Sequence, residues 1–167
     1  INAKKGDLLL FTYAGHGFYT RDYNGDEKDN RDELLVSVDF KGIKDDELKS
    51  MLDHYLPEGV KVFILFDCCN SGTLMDLKYN YLSTNNYNKI VINNNCSETK
   101  GEVYFISGCK DDQQSADAYI NNQYQGAMSW AFVKTISENK NLTWKNLLLG
   151  MRKLLVNRYI QIPQLSS

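Results

Sequence analysis

The sequence predicts an α/β fold in which helices cover both faces of a mostly parallel central sheet. Three short apolar runs are each closed by small or polar residues, which is typical of buried strands in such a sheet. Amphipathic helical patterns lie between and after these runs, as they do in α/β proteins. With 167 residues the chain has the size of one domain, so we expect a single core over residues 1–167.

The first two strands are predicted at residues 7–13 (DLLLFTY) and 60–66 (VKVFILF). Between them, residues 45–56 bring apolar side chains onto one helical face. This helix begins with three acidic residues, which are favourable at the positive N-terminal end of a helix dipole. The order of strand, helix and strand is that of a parallel crossover.

The third strand is predicted at residues 103–107 (VYFIS), and two helices follow it at 126–138 and 142–159. Both helices carry an apolar stripe at helical spacing, which favours packing on the core over binding of a partner. Residues 78–101 are polar and rich in asparagine, without an apolar period. We therefore predict a mobile loop at about 78–101.

Composition excludes several classes of function. The net charge of −2 gives no basic surface for nucleic acid. No apolar run approaches the ~20 residues that span a bilayer, and the first residues do not have the order of a secretory signal. The four cysteines form neither a disulfide framework nor a CxxC metal site, which fits a reducing compartment. We expect a cytoplasmic protein with no nucleic-acid or membrane partner.

The ends of the first two strands carry a histidine and a pair of cysteines. The first strand leads into YAGHG, which contains His16, and the second leads into DCCNSG, which contains Cys69. Because the carboxyl ends of neighbouring parallel strands meet at one edge of a sheet, we expect His16 and Cys69 to lie close together. A thiolate is the effective nucleophile, and a neighbouring imidazolium stabilises it and later protonates the leaving amine. The pair predicts a Cys/His dyad, although either residue alone is more often structural.

Cys68 is the competing nucleophile. Adjacent residues that leave a strand point to opposite sides, so only one cysteine can face the site, and we expect Cys68 to pack inward. Gly17 would leave room for substrate backbone beside His16. The backbone N–H groups of Gly72 and Cys69 are the candidate donors to the oxyanion that amide hydrolysis develops.

Seven segments resemble those of the type I metacaspases, a family of caspase-like cysteine peptidases, in order and over nearly the whole chain. They are YAGHG (13–17), NGDEKDNRDELLVSVDF (24–40), DDEL (45–48), FDCCNSGTLMDL (66–77), FISGCKDDQQSADA (105–118), GAMSWAF (126–132) and PQLSS (163–167). The family's D-x-C-x-S-G form places the nucleophile at Cys69 instead of Cys68. Ala14 and Asn70 stand where the family often has serine and histidine, and neither removes the dyad.

The resemblance implies a caspase-like three-layer sandwich whose first strands are not in this chain. It also implies hydrolysis of protein or peptide substrates after Arg or Lys, the P1 residue, and we expect the enzyme to be a monomer. Asp67 matches the acidic residue that helps line the P1 pocket, since a carboxylate complements Arg bidentately and Lys as a point charge. The alternative role of Asp67 is a cap at the end of its strand.

The resemblance further implies calcium as an activating, non-catalytic ion. The implied ligands are Asp32, Asp45, Asp46 and Asp76. Carboxylates that converge repel one another unless a hard cation neutralises them. Solvated acidic loops and a helix start explain the same residues without a metal. An EF-hand-like count from Asp22 to Glu33 lacks glycine at its sixth position and follows no helix, so we interpret it as coincidence.

Two further interpretations remain open at this point. Lys78, Lys89 and Lys100 are candidate self-cleavage sites in a peptidase of this specificity, although lysines are common in exposed loops. The alternative to an enzyme is an inactive caspase-fold scaffold that acts through protein interactions. The intact pair of His16 and Cys69 favours the enzyme.

Overall fold

A six-stranded sheet forms the centre of the molecule. The structure is a computed structural model, and it describes residues 2–22, 31–69, 74–81, 90–108, 117–120 and 122–167. The strands described are β1 (Leu8–Ala14), β2 (Gly17–Arg21), β3 (Arg31–Val36), β4 (Gly42–Lys44), β5 (Lys61–Asp67), β6 (Tyr79–Asn80), β7 (Val91–Ile92), β8 (Glu102–Ser107), β9 (Asp117–Ile120), β10 (Gln123–Gly126) and β11 (Gln164–Ser166). The helices described are α1 (Asp45–Tyr55), α2 (Ala127–Glu138) and α3 (Trp144–Leu155).

The long strands of the central sheet are parallel and the short ones are antiparallel. The order is β1-β5-β8-β11-β6-β7. β5 runs parallel to β1 and to β8, whereas β11 is antiparallel to both β8 and β6, and β7 is antiparallel to β6. The three predicted strands and three predicted helices are confirmed, with small shifts at their ends. The predicted α/β fold with helices on both faces of the sheet is therefore confirmed.

The position of β5 inside the sheet explains why its sequence is apolar without interruption. Ile64 and Phe66 lie on the face that α1 covers, where Phe105 of β8 packs with them. Phe63 and Leu65 lie on the opposite face, in the core that α2 and α3 cover. A strand buried on both faces needs apolar residues at every position, which removes the usual alternation.

The expectation that β1 is a buried strand is wrong for much of its length. Leu8 is 70% exposed and Leu10 is 65% exposed, whereas Leu9 and Tyr13 pack against the core on the α1 face. The position of β1 in the sheet explains this exposure. In the described residues β1 is the edge strand of the sheet, so only one side of it is paired and only one face is covered.

Several strands lie outside the regions where the sequence predicted regular structure. β2, β3 and β4 form a separate antiparallel sheet, and β9 pairs with β10 as a hairpin. The segment 78–101, described above as a loop, contributes β6 and β7 to the central sheet. Among the described residues, no helix is long and apolar enough to cross a membrane.

Candidate active site

The ends of β1 and β5 lie side by side at one edge of the central sheet. Ala14 and Asp67 are the last paired residues of the two strands, and the N–H of Gly15 donates to the Asp67 carbonyl at 3.4 Å. His16 follows Ala14 by two residues, and Cys69 follows Asp67 by two residues. The parallel register therefore brings the two turns that carry the predicted dyad to the same place.

Gly17 shows that these two turns are in direct contact. A Cβ atom at residue 17 would overlap the Cys69 carbonyl oxygen and would lie 3.3 Å from the Cys68 sulfur. The Cys69 backbone thus occupies the direction that a side chain at residue 17 would take. Only glycine allows the backbone after His16 to approach the cysteine turn this closely.

Tyr13 anchors the peptide group of His16. Its hydroxyl lies 2.9 Å from the His16 carbonyl and 2.7 Å from the Val36 carbonyl, and the Val36 N–H donates to the His16 carbonyl at 3.0 Å. Burial raises the pKa of Tyr13, with a smaller contribution from Cys68, so the hydroxyl stays a proton donor at neutral pH. A Cβ atom at Gly15 would lie 2.6 Å from this hydroxyl. In the sequence, the only signal for Tyr13 is that a polar aromatic residue stands at the end of an apolar strand.

The two cysteines differ in burial as predicted. Cys68 is 1% exposed and belongs to the core on the α1 face, whereas Cys69 is half-buried. The expectation that Cys68 packs inward is confirmed. A thiol must be reachable by substrate to act as a nucleophile, so burial makes Cys68 the poorer candidate.

Asp67 is held by the first turn of α2. It is 6% exposed, and its Oδ2 accepts from the Ser129 N–H at 2.8 Å and from the Ser129 Oγ at 2.7 Å. A Cβ atom at Gly126, the N-cap of α2, would overlap the same carboxylate oxygen. Asp67 therefore caps a helix, which is a different structural role from the strand-end cap considered above. Ser129 is not among the predicted site residues, and its only sequence signal is a serine near the start of a helix, where side chains often form hydrogen bonds.

Asp32 and Asp45, two of the four predicted calcium ligands, stabilise the structure around the start of α1. Asp32 is buried and forms an ion pair with Lys44, whose pKa this carboxylate raises. Asp45 is buried at the start of α1, where its carboxylate accepts from the N–H groups of Glu33 at 3.1 Å and Asp46 at 2.9 Å. Burial raises the pKa of Asp45. Both side chains thus stabilise the junction of β3, β4 and α1.

The other two predicted ligands, Asp46 and Asp76, line one cavity of about 200 Å³. The remaining lining residues are Lys49, Asp53, Asn93, Asn95, Cys96 and Ser97. Lys49 donates to both carboxylate oxygens of Asp53, at 2.7 and 2.8 Å. Within the described ranges, no three His, Cys, Asp or Glu side chains are arranged to hold a metal ion. Half of the predicted ligand set therefore lines one cavity, and carboxylates are the hard oxygen donors that calcium prefers.

The remaining predicted positions divide between described and undescribed residues. Lys78 forms an ion pair with Glu98 at 2.8 Å, which raises its pKa, and Lys100 is exposed. Gly72 and Lys89 lie outside the described residues, as does most of the EF-hand-like run. Its first residue, Asp22, is buried.

His16 and Cys69 thus follow the adjoining ends of two parallel strands in a sheet covered by helices, an order of elements that a caspase-like Cys/His peptidase site can use. The model of the metacaspase peptidase C14 domain matches residues 1–78. Over 99% of this chain, Metacaspase-1 of Meyerozyma guilliermondii is 37% identical and Metacaspase-1 of Schizosaccharomyces pombe is 33% identical. The chain is similar to the type I metacaspases over nearly its whole length, which confirms the resemblance seen in its motifs.

The same comparisons set the extent of the match. This chain covers 52% of the Meyerozyma relative and 50% of the Schizosaccharomyces relative, so it spans about half the length of these curated relatives. Among solved structures, the crystal structure of protein GSU0716 from Geobacter sulfurreducens matches with a TM-score of 0.66 and 24% sequence identity. That match covers 96% of this chain and 66% of the Geobacter chain, and it supports the fold.

Proposed function

We propose that this chain carries the catalytic centre of a calcium-activated cysteine endopeptidase that cleaves after Arg or Lys. Cys69 is the nucleophile, His16 is the general acid and base, and Asp67 takes part in binding the P1 side chain. The enzyme acts on proteins or peptides as a cytoplasmic monomer. It also processes itself after a lysine of the segment 78–101.

The observation that carries this proposal is the contact between the His16–Gly17 turn and the backbone of Cys69. In this arrangement the imidazole takes the thiol proton, and the thiolate attacks the carbonyl carbon of the scissile bond. The imidazolium then returns the proton to the leaving amine as the C–N bond breaks. Water hydrolyses the remaining thioester and frees the thiol.

Peptides that differ only at P1 test the specificity. In assays of the full-length protein with matched fluorogenic Arg, Lys and Asp peptides, we expect cleavage after Arg and Lys, because a carboxylate near P1 attracts a cation and repels aspartate. Asp67→Asn should lower kcat/KM for the Arg and Lys peptides by about 10-fold or more, a loss of ~1.4 kcal/mol in transition-state binding. Asp39→Asn, which changes an exposed carboxylate paired with Lys41, is the matched control.

Three outcomes of this assay bear on the alternatives. Preferred cleavage after aspartate would contradict the proposed specificity. Unchanged kcat/KM in Asp67→Asn would remove Asp67 from substrate binding. A folded full-length protein that hydrolyses none of the peptides, with and without calcium, would favour the scaffold alternative.

The support for calcium activation is that Asp46 and Asp76 line one cavity together with Asn93 and Asn95. Carboxylate and amide oxygens are the kind of ligand that calcium takes in sets of six to eight. Bound calcium would neutralise the two carboxylates and join α1 to the segment that follows Cys69. Asp32 and Asp45 remain proposed ligands that would have to exchange their present partners.

Calorimetric titration of the full-length protein tests the calcium site. Asp46→Asn combined with Asp76→Asn should weaken calcium binding by about 10-fold or more, since each change removes a charged ligand. Asparagine also tolerates the left-handed backbone of Asp76, whose φ is 41°. Magnesium should substitute poorly because it demands a tighter octahedral shell and keeps its waters. The comparison variant combines Asp22→Ala with Asp26→Ala. If this variant loses calcium binding while the variant of Asp46 and Asp76 keeps it, the EF-hand-like run is the true site.

A further inference from the structure

We propose that Ser129 is a positioning residue for P1 recognition, because its hydroxyl holds the carboxylate of Asp67 in the orientation that receives a basic side chain. This inference rests on the proposed role of Asp67 in binding P1. It assigns a second residue to that specificity, on α2 and 62 positions further along the chain.

Two donors of Ser129 converge on one oxygen of Asp67. The N–H donates to Oδ2 at 2.8 Å and the hydroxyl donates to the same oxygen at 2.7 Å. Gly126 also packs against this carboxylate, because a Cβ atom at residue 126 would overlap Oδ2 of Asp67. A planar group with one oxygen fixed by two donors keeps a defined direction for its second oxygen. Directional pairing with the guanidinium of an Arg substrate depends on such a direction.

Helix capping alone accounts for one of these two hydrogen bonds. Ser129 is the third residue of α2, and the backbone N–H at this position is one that a helix normally leaves unsatisfied. The N-cap residue Gly126 has no side chain to accept it, so Asp67 takes that role from β5. The hydroxyl bond is an addition to the cap. A substitution that removes only the hydroxyl keeps the capping bond from the Ser129 N–H. It therefore tests the orientation of Asp67 without removing the cap of α2.

Ser129→Ala, Ser129→Thr and Ser137→Ala in the full-length protein form the test. Ser137 is the matched control because it is an exposed serine of the same helix whose hydroxyl donates to the Lys134 carbonyl. We expect Ser129→Ala to raise KM for Arg and Lys peptides about 10-fold with little change in kcat, the size of a lost hydrogen bond to a charged group. Ser129→Thr keeps the hydroxyl and should restore KM. The rate at which iodoacetamide alkylates Cys69, which needs no P1 contact, should not change in any variant.

The possible results separate this inference from the proposed function. Wild-type KM in Ser129→Ala, in a protein whose Asp67→Asn variant has lost activity on Arg and Lys peptides, overturns the role of Ser129 and leaves Asp67 in place. A parallel fall in kcat, alkylation rate and melting temperature would identify Ser129 as a structural cap and also overturn it. Failure of the unmodified enzyme to cleave after Arg or Lys, or full activity of Asp67→Asn, counts against the proposed function.

Discussion

Replacing Cys69 with alanine is expected to abolish peptide hydrolysis, whereas replacing Cys68 with alanine is expected to leave most of it. Loss of a nucleophile lowers kcat by a factor on the order of 10⁶ when nucleophile and base act as a unit. Cys68 is 1% exposed in the core, so its change to alanine costs packing, about 1 kcal/mol, without removing a reacting atom. The measurement is kcat for both variants of the full-length protein with an Arg peptide.

The control for the two alanine variants is the reactivity of the cysteine that each of them retains. Iodoacetamide should label residue 69 in the Cys68→Ala variant at the wild-type rate, and thermal unfolding should confirm that both variants are folded. Complete loss of activity in a folded Cys68→Ala protein, with activity retained in Cys69→Ala, would reverse the assignment of the nucleophile.

The second large effect is expected from Gly17→Ala. A methyl group at residue 17 would overlap the Cys69 carbonyl oxygen, so the histidine turn and the cysteine turn must move apart. A displacement of about 1 Å between catalytic groups costs on the order of 10²-fold in rate, and overpacking of this kind costs about 1–3 kcal/mol of stability. We therefore expect kcat to fall at least 10²-fold, together with a lower melting temperature.

Gly42→Ala is the matched control, because a Cβ atom there meets only the flexible end of the Leu34 side chain, at 3.2 Å. It should change kcat by less than about 3-fold, since a surface substitution away from such features usually shifts stability by no more than about 0.5 kcal/mol. Wild-type activity in Gly17→Ala would mean that the two turns do not need this close contact for catalysis.

The central elements were predictable because their signals are local. A run such as VKVFILF has apolar residues on both faces of a strand, and the stripes of α2 and α3 repeat at helical spacing. Placement of His16 and Cys69 at one sheet edge followed from the parallel crossover, which the register of Ala14 with Asp67 confirms. The inward packing of Cys68 followed from the alternation of side chains along an extended chain.

The exposure of β1 and the short strands could not be predicted in the same way. LLLFTYA is as apolar as β5, and what leaves Leu8 and Leu10 exposed is the absence of a covering neighbour among the described residues. β11 is a three-residue strand with a polar first residue, and it is a strand because β8 and β6 pair with it from either side. Strand identity at this length depends on partners far away in the chain.

By itself the sequence determined the α/β class, the resemblance to the metacaspases and the two residues proposed for catalysis, because each depends on residue type and spacing within a few turns of chain. Only the tertiary structure decided what holds those residues in place. The hydroxyl of Tyr13 reaches Val36, the carboxylate of Asp67 reaches Ser129, and the backbone at Gly17 reaches Cys69. Each contact joins segments more than twenty residues apart, and hydrogen bonds or close packing across such separations exist only after the sheets and helices have brought the segments together.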